Sequence, residues 1–257
     1  MKIRLDFRKT AQENAASHYQ RAKELAKKEE GAKKAIEETK KEMAEAQGEQ
    51  ERAESSREPP KMKRRKEWFE KHKWFYTSGG KLVVAGRDAK QNDMLVAKTM
   101  REDDLFFHAD IQGAPATILV GGKSATQQEK LETAQFAASH SSAWKVGAAA
   151  VDVYAVEKKQ LSKHAQGGFV GAGGFAIEGE REWFRGTPLG LAVGVEDSRV
   201  VCLPLCHAKA EKLAVLLSLG NFEKGQAAKK IAALLKCSAD EILLALPSGK
   251  FSIKESR

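Results

Sequence analysis

The first 73 residues and the remainder of the chain differ in texture, and that division constrains the fold more than any other feature. Residues 10–56 contain no proline and are rich in Lys, Glu, Gln and Ala. Such a stretch has too few large apolar side chains to build a core of its own. Its less polar positions recur at Ala11, Ala15, Tyr19, Ala22 and Ala26, then at Ala32, Ile36, Met43 and Ala46. The spacing of three and four predicts a long helix with a narrow, alanine-rich coiled-coil seam. Glu and Lys placed three or four apart support an exposed helix of this kind. Gly48 is a candidate tip of a helical hairpin, and Pro59 and Pro60 end whatever helix precedes them. A solvated helix with such a seam calls for a partner, which includes a second copy of the chain.

From Lys81 onward Val, Ile, Phe, Gly and Trp dominate. Strands are expected at 81–85, 105–108, 115–120, 148–156, 175–177, 191–195, 199–203 and 213–219. Helices are expected at 88–100, 126–142, 222–236 and 239–246, with Asp88 and Thr126 or Ser124 as caps. Many short strands with few helices indicate an α+β protein, a mixed β-sheet domain with packed helices behind the long N-terminal helix. The expected divisions are a helical segment over 1–60, an α+β domain over 61–205 and a C-terminal strand and helices over 206–257.

Residues 61–76, KMKRRKEWFEKHKWFY, join the two textures and hold seven Lys or Arg against two Glu. The spacing of Trp68 and Phe75 fits an amphipathic helix docking its aromatics on the core. Lys61, Lys63, Arg64, Arg65 and Lys66 are candidate contacts to nucleic acid, or else a solvated face. The whole chain carries 44 Lys and Arg against 35 Asp and Glu, a net charge of +9. That excess is the electrostatic footprint of a protein that approaches phosphate backbones, though a merely basic surface has the same charge.

The N-terminus lacks the apolar core of a signal peptide, and no run approaches 18 apolar residues, so no membrane contact is expected. Three cysteines, an odd and sparse number, argue for a reducing compartment, the cytoplasm. Cys202 and Cys206, beside His207, lack the second pair of ligands that a closed zinc site needs and read as core thiols. Neither metal nor cofactor is expected.

Four clusters could carry chemistry. Gly86-Arg87-Asp88-Ala89 stands where a strand hands over to a helix, a natural place for an anion, with Arg87 as its clamp or as partner of Asp88. His108 and Asp110 lie on one side of an extended chain, about 7 Å apart, as either a general acid and its orienter or the polar residues of a bend. Ser139-His140-Ser141 closes a helix without a nucleophile-elbow motif. Residues 167–174, GGFVGAGG, are permissive backbone without the Lys-Ser/Thr ending of a P-loop.

The order of the motifs is more specific than any one of them. Trp68-Phe69-Glu70-Lys71 with Trp74-Phe75 comes first, then Gly86-Arg87-Asp88-Ala89 with Gln91-Asn92. His108-Ala109-Asp110-Ile111 with Gly113-Ala114-Pro115 follows, then His140-Ser141-Ser142-Ala143-Trp144, then Leu161-Ser162-Lys163 before the glycine-rich turn. This series resembles the NFACT-R domain of the NFACT proteins of ribosome-associated quality control, over about residues 61–204. The start of the long helix, with AQENA at 11–15, is similar to the family's coiled coil, and the end of the chain to the tail of archaeal members. The resemblance implies an RNA-binding module for the large ribosomal subunit or tRNA. Arg87, Asp88, Gln91, Asn92, His108, Asp110, His140, Ser141, Trp144 and Lys163 would then face RNA, together with the basic segment at 61–66. The sequence has no counterpart of the family's NFACT-N and helix-hairpin-helix domains, so it reads as a short form, natural or excised. It also departs from the family at Gln112, where a His is common, and at 164–173, where a Pro-Thr-Gly-Glu type of turn is usual. Two other functions remain open: an enzyme acting on RNA through His108, Asp110 and His140, and a coiled-coil adaptor.

Overall fold

The computed structural model describes residues 4–55, with side chains to residue 43, and residues 67–165 and 168–256. The chain forms two compact units, Met1–Arg65 and Lys66–Arg257. The described residues of the first hold one helix, α1 (Ala11–Ser55). Thr10 starts it with a capping box: its Oγ1 accepts from the Glu13 amide at 3.2 Å, and Glu13 Oε2 accepts from the Thr10 amide at 2.8 Å. The buried side chain of Asn14 exchanges hydrogen bonds with both backbone groups of Asp6, each at 2.9 Å, and folds the preceding chain onto the first turn. The expected hairpin does not form. The helix runs straight through Gly48, because one glycine costs a helix only about 1 kcal/mol when good helix formers flank it.

The second unit opens with a short 3₁₀ turn, Trp68–Lys71, and β1 (Lys73–Tyr76). This corrects the expected amphipathic helix. Successive strand residues point to opposite faces, so Trp74 meets Phe69 with ring centroids 4.9 Å apart while Phe75 meets Phe136 at 4.7 Å. The strand uses both neighbouring aromatics where a helix face would bury only one.

The chain continues through β2 (Leu82–Ala85) and α2 (Ala89–Met94), which widens into a π-helical turn at Leu95–Thr99. Next come β3 (Leu105–Ala109), β4 (Thr117–Leu119), α3 (Gln127–Ser139), α4 (Ser142–Val146) and β5 (Ala150–Glu157). Four two-residue strands follow: β6 (Leu161–Ser162), β7 (His164–Ala165), β8 (Gly168–Phe169) and β9 (Ala176–Ile177). β10 (Glu182–Pro188), β11 (Leu191–Glu196), β12 (Arg199–Pro204) and β13 (Val215–Glu223) lead to α5 (Lys224–Leu235), α6 (Ala239–Ala245) and β14 (Lys250–Glu255).

A six-stranded sheet has the order β1-β2-β4-β3-β5-β10, and a four-stranded sheet the order β12-β11-β13-β14. Every described pair is antiparallel. The expected α+β architecture is therefore present, with β1, β10, β14 and the two-residue strands β6, β7 and β8 beyond those read from the sequence. α3 packs on β3, β5 and β10 of the larger sheet and on β12 of the smaller one. It is buried from Glu132 to Ser139. Thr126 caps it with Glu129 as the reciprocal partner. The β1–β2 turn docks on its polar side, where Thr77 Oγ1 donates to Glu129 at 2.8 Å and the Ser78 amide to Glu132 at 2.8 Å.

Between β3 and β4 the chain bends sharply. Gly113 sits at φ +83°, in the left-handed region that favours glycine. Ser142 Oγ donates to the Gln112 carbonyl and ties the bend to α4. The Asp110 amide donates to the Asp152 carbonyl at 2.7 Å, which extends the β3–β5 ladder.

Candidate nucleic-acid interface

The β2–α2 corner, the β3–β4 bend, the end of α3 and the glycine-rich loop meet around a cleft of about 560 Å³. Lys73, Arg87, Asn92, His108 and His140 are among its lining side chains, and Val170–Gly174 form one wall. Asp88 opens α2 as its cap, accepting from the Gln91 amide at 2.8 Å. Gln91 Oε1 accepts from His72 Nδ1 at 2.9 Å and from the Arg87 amide at 3.3 Å. These bonds fix the corner, so Gln91 acts behind the cleft. Asn92 is buried, and its Oδ1 accepts from the Ala116 amide at 3.1 Å, joining α2 to β4.

The cleft lining carries two cationic side chains, Lys73 and Arg87, against one carboxylate, Asp88. The Arg87 guanidinium donates to the His72 carbonyl at 3.0 Å, and its Nε is buried without a partner. It is not paired with Asp88, since among the described residues neither Arg87, Lys73 nor Lys224 forms an ion pair. Burial and then the charge of Lys224 pull the Lys73 ammonium down to about 8. His140 caps the C-terminal end of α3, lies edge-on to Phe136 with ring centroids 4.3 Å apart, and has no partner for either ring nitrogen. Burial first, and Lys73, Lys224 and Arg87 after it, hold its imidazole neutral, well below the usual histidine range. Burial likewise lowers His108, whose ring stacks on Phe106 at an interplanar angle of 7°.

Lys163 stands elsewhere than expected. Its ammonium pairs with Asp93, donates to the Gly174 carbonyl at 2.7 Å and lies 4.1 Å over the Phe175 ring. Asp93 also accepts from the Gly173 amide at 3.1 Å. Lys163 therefore pins the glycine-rich wall, and its charge is already neutralised. Gly173 sits at φ +76°, where a Cβ would lie 2.7 Å from the Ala89 Cα, so the wall closes on α2 only with glycine there.

Two further expected contacts belong to the interior. Ser141 is buried, and its hydroxyl donates to the Ala138 carbonyl at 2.7 Å while accepting from the Ala143 amide. Trp144 is 1% exposed, packs on Phe251 and donates its indole N–H to the Lys250 carbonyl at 2.9 Å. A buried side chain with its polar atoms satisfied offers nothing to a ligand. Asp110 is exposed and outside the cleft lining, so His108 and His140 meet there without it. His108 Nδ1 faces the Tyr154 hydroxyl at 3.5 Å instead. Lys61, Lys63, Arg64, Arg65 and Lys66 lie outside the described residues.

The structure adds residues that sequence reading passed over. Lys73 was visible only as one of seven Lys and Arg within residues 61–76, and Lys224 as part of a helix. A cross-strand row, His108–Tyr154–Trp183, runs from the cleft over β3, β5 and β10. Arg181 lies 4.6 Å over Tyr154 and Arg185 3.8 Å over Trp183. Recognising β10 as a strand would have aligned this row. Cys202 is buried and its thiol pushed up to about 12, while His207 donates to the Tyr76 carbonyl at 3.1 Å. No helix among the described residues is long and apolar enough to cross a membrane.

Comparison with known proteins agrees with the motif order. Residues 71–179 match the NFACT protein RNA binding domain. The archaeal Rqc2 homolog aRqcH of Methanocaldococcus jannaschii is 42% identical over 199 residues, 74% of this chain and 30% of that protein. The ribosome quality control complex subunit NEMF homolog of Drosophila melanogaster is 35% identical over 142 residues, 52% of this chain and 14% of its own length. Human NEMF, a ribosome quality control complex subunit, is 29% identical over 173 residues, 66% of this chain and 16% of its own length. The chain thus spans less than a third of these relatives. Over residues 71–179, this chain carries the NFACT-R domain, the RNA binding domain of NFACT proteins.

Proposed function

We propose that the chain is an RNA-binding module of ribosome-associated quality control, acting on the large ribosomal subunit or on tRNA. The observation that carries this reading is a cleft with unpaired cations, Lys73 and Arg87, inside a domain of an RNA-binding family. Cations held without carboxylate partners are available to phosphates, and release of the RNA's condensed counterions drives such binding. The names of the relatives support the ribosomal setting. Arg87, His108, His140 and Asn92 line the proposed contact surface. Asp88, Gln91 and Lys163 hold its walls, and the basic segment from Lys61 to Lys66 adds charge. Arg181, held over the Tyr154 ring, adds a further cation beside His108. The test is crosslinking in cells followed by sequencing of the recovered RNA. The expected result is enrichment of large-subunit ribosomal RNA or tRNA. Recovery no greater than for an unrelated basic protein would overturn the reading.

The exposed Tyr19, Leu25, Ile36 and Met43 of α1 favour a second role alongside the first, in which the helix pairs with a coiled-coil partner or a second copy. An apolar seam left in water gains by covering itself.

A further inference from the structure

Positive charges brought together in a folded domain repel one another, and buried donors without acceptors are costly. The inner end of the cleft accumulates both. Lys73 and Arg87 line it without ion pairs, and Lys224 adds its charge to theirs at His140. Arg87 Nε and both ring nitrogens of His140 are buried and unpartnered. An arrangement so unfavourable when empty is what an anion site looks like before its anion arrives. The size of the cleft, about 560 Å³, lies in the range of small-ligand pockets and exceeds what one inorganic anion fills. The rest of the lining includes the glycine-rich backbone of 170–174, with His108 and Pro115, and small residues there leave space for a sugar and a base.

The charge balance selects among phosphates. Lys73, Arg87 and Lys224 stand against one carboxylate of the lining, Asp88, and a phosphodiester inside an RNA chain brings them only one further negative charge. A terminal phosphate brings roughly −1.5 to −2 at neutral pH and three acceptor oxygens. We propose, building on the RNA-binding reading, that the cleft receives the phosphorylated end of an RNA. Lys73 and Arg87 are its direct ligands, and the recessed His140 takes up a proton as the phosphate arrives. The neutral imidazole is otherwise an idle buried base. Next to a dianion its charged form gains a partner.

The test measures the whole chain binding three oligoribonucleotides of one sequence: a 5′-phosphate, a 3′-phosphate and hydroxyl at both ends. Fluorescence anisotropy is the readout. The expected result is a roughly tenfold or greater preference for one phosphorylated end over the hydroxyl form, and the preferred end gives the polarity. Lys73→Gln should erase that preference, and Lys73→Arg should retain it. Thermal unfolding of both variants shows whether they are folded. Proton uptake on binding the preferred RNA, measured by calorimetry in buffers of different ionisation enthalpy, should fall in His140→Phe. Equal affinity for all three RNAs, or a preference that survives Lys73→Gln, overturns the end-binding proposal and leaves the RNA-binding reading standing. Absence of any salt-sensitive RNA binding overturns both.

Discussion

Lys73 shows how one residue can be held against its own interest. Strand β1 carries it into the cleft, where burial, Lys224 and Arg87 all disfavour its charged form, and only the Cys202 side acts the other way. His140 also faces it. The sign follows from linkage. A lysine whose folded-state value falls from 10.5 to about 8 makes the folded chain bind fewer protons than the unfolded chain. Folding is then penalised below pH 8, and the penalty fades as pH rises toward the unfolded value. Replacing Lys73 by Met should raise stability at pH 7, on the order of 1 kcal/mol once solvent screening is allowed for. Near pH 10.5 the advantage should vanish. Urea unfolding of the two chains at both pH values checks this, and a less stable Lys73→Met at pH 7 would contradict it. Arg87 and His140 share the pattern, each with buried polar atoms lacking partners, as Thr117 Oγ1 and Arg199 Nε have elsewhere in the domain.

Among the elements, α1 and β10 mark the limits of local sequence. The length of α1 was readable because its Lys, Glu and Ala composition agrees with the helix at every turn. Its continuity through Gly48 was not, since a glycine marks a hairpin only when tertiary contacts reward the turn. β10 escaped because Gly186 and Pro188 interrupt its alternation, and a register shift between Phe184 and Thr187 breaks its pairing with β5. β1 was misread because Trp68 and Phe75 fit a helical period as well as a turn followed by a strand. The same ambiguity hid Lys73, whose direction depends on β1 being extended. Arg87, His108 and His140 were legible as motif residues, though not their convergence, which depends on pairing across the sheet. For α1 the expected outcome is association. Sedimentation of the whole chain should show more than one chain per particle at micromolar concentration, and Leu25→Lys with Ile36→Lys should reduce it to one. A wild-type chain that stays monomeric would contradict self-pairing.

At the scale of the whole molecule, the net charge of +9 describes attraction to nucleic acid without saying where it acts. Many surface cations are already matched, as in Lys33–Glu29, Lys130–Glu182, Arg185–Asp152 and Lys163–Asp93. Those in the cleft are not. Other surface cations among the described residues, Lys71, Lys90 and Arg101 included, also lack ion pairs, but Lys73 and Arg87 are gathered in a cleft of about 560 Å³ beside the glycine-rich wall, while the buried Ser141 and Trp144 have their polar atoms bonded. The most direct test is the salt dependence of single-stranded RNA affinity for the whole chain, compared between wild type and Arg87→Gln. If Arg87 meets a phosphate, the slope of log affinity against log salt should become shallower by roughly 0.7. An unchanged slope would place the RNA elsewhere on the molecule and contradict the assignment of the cleft.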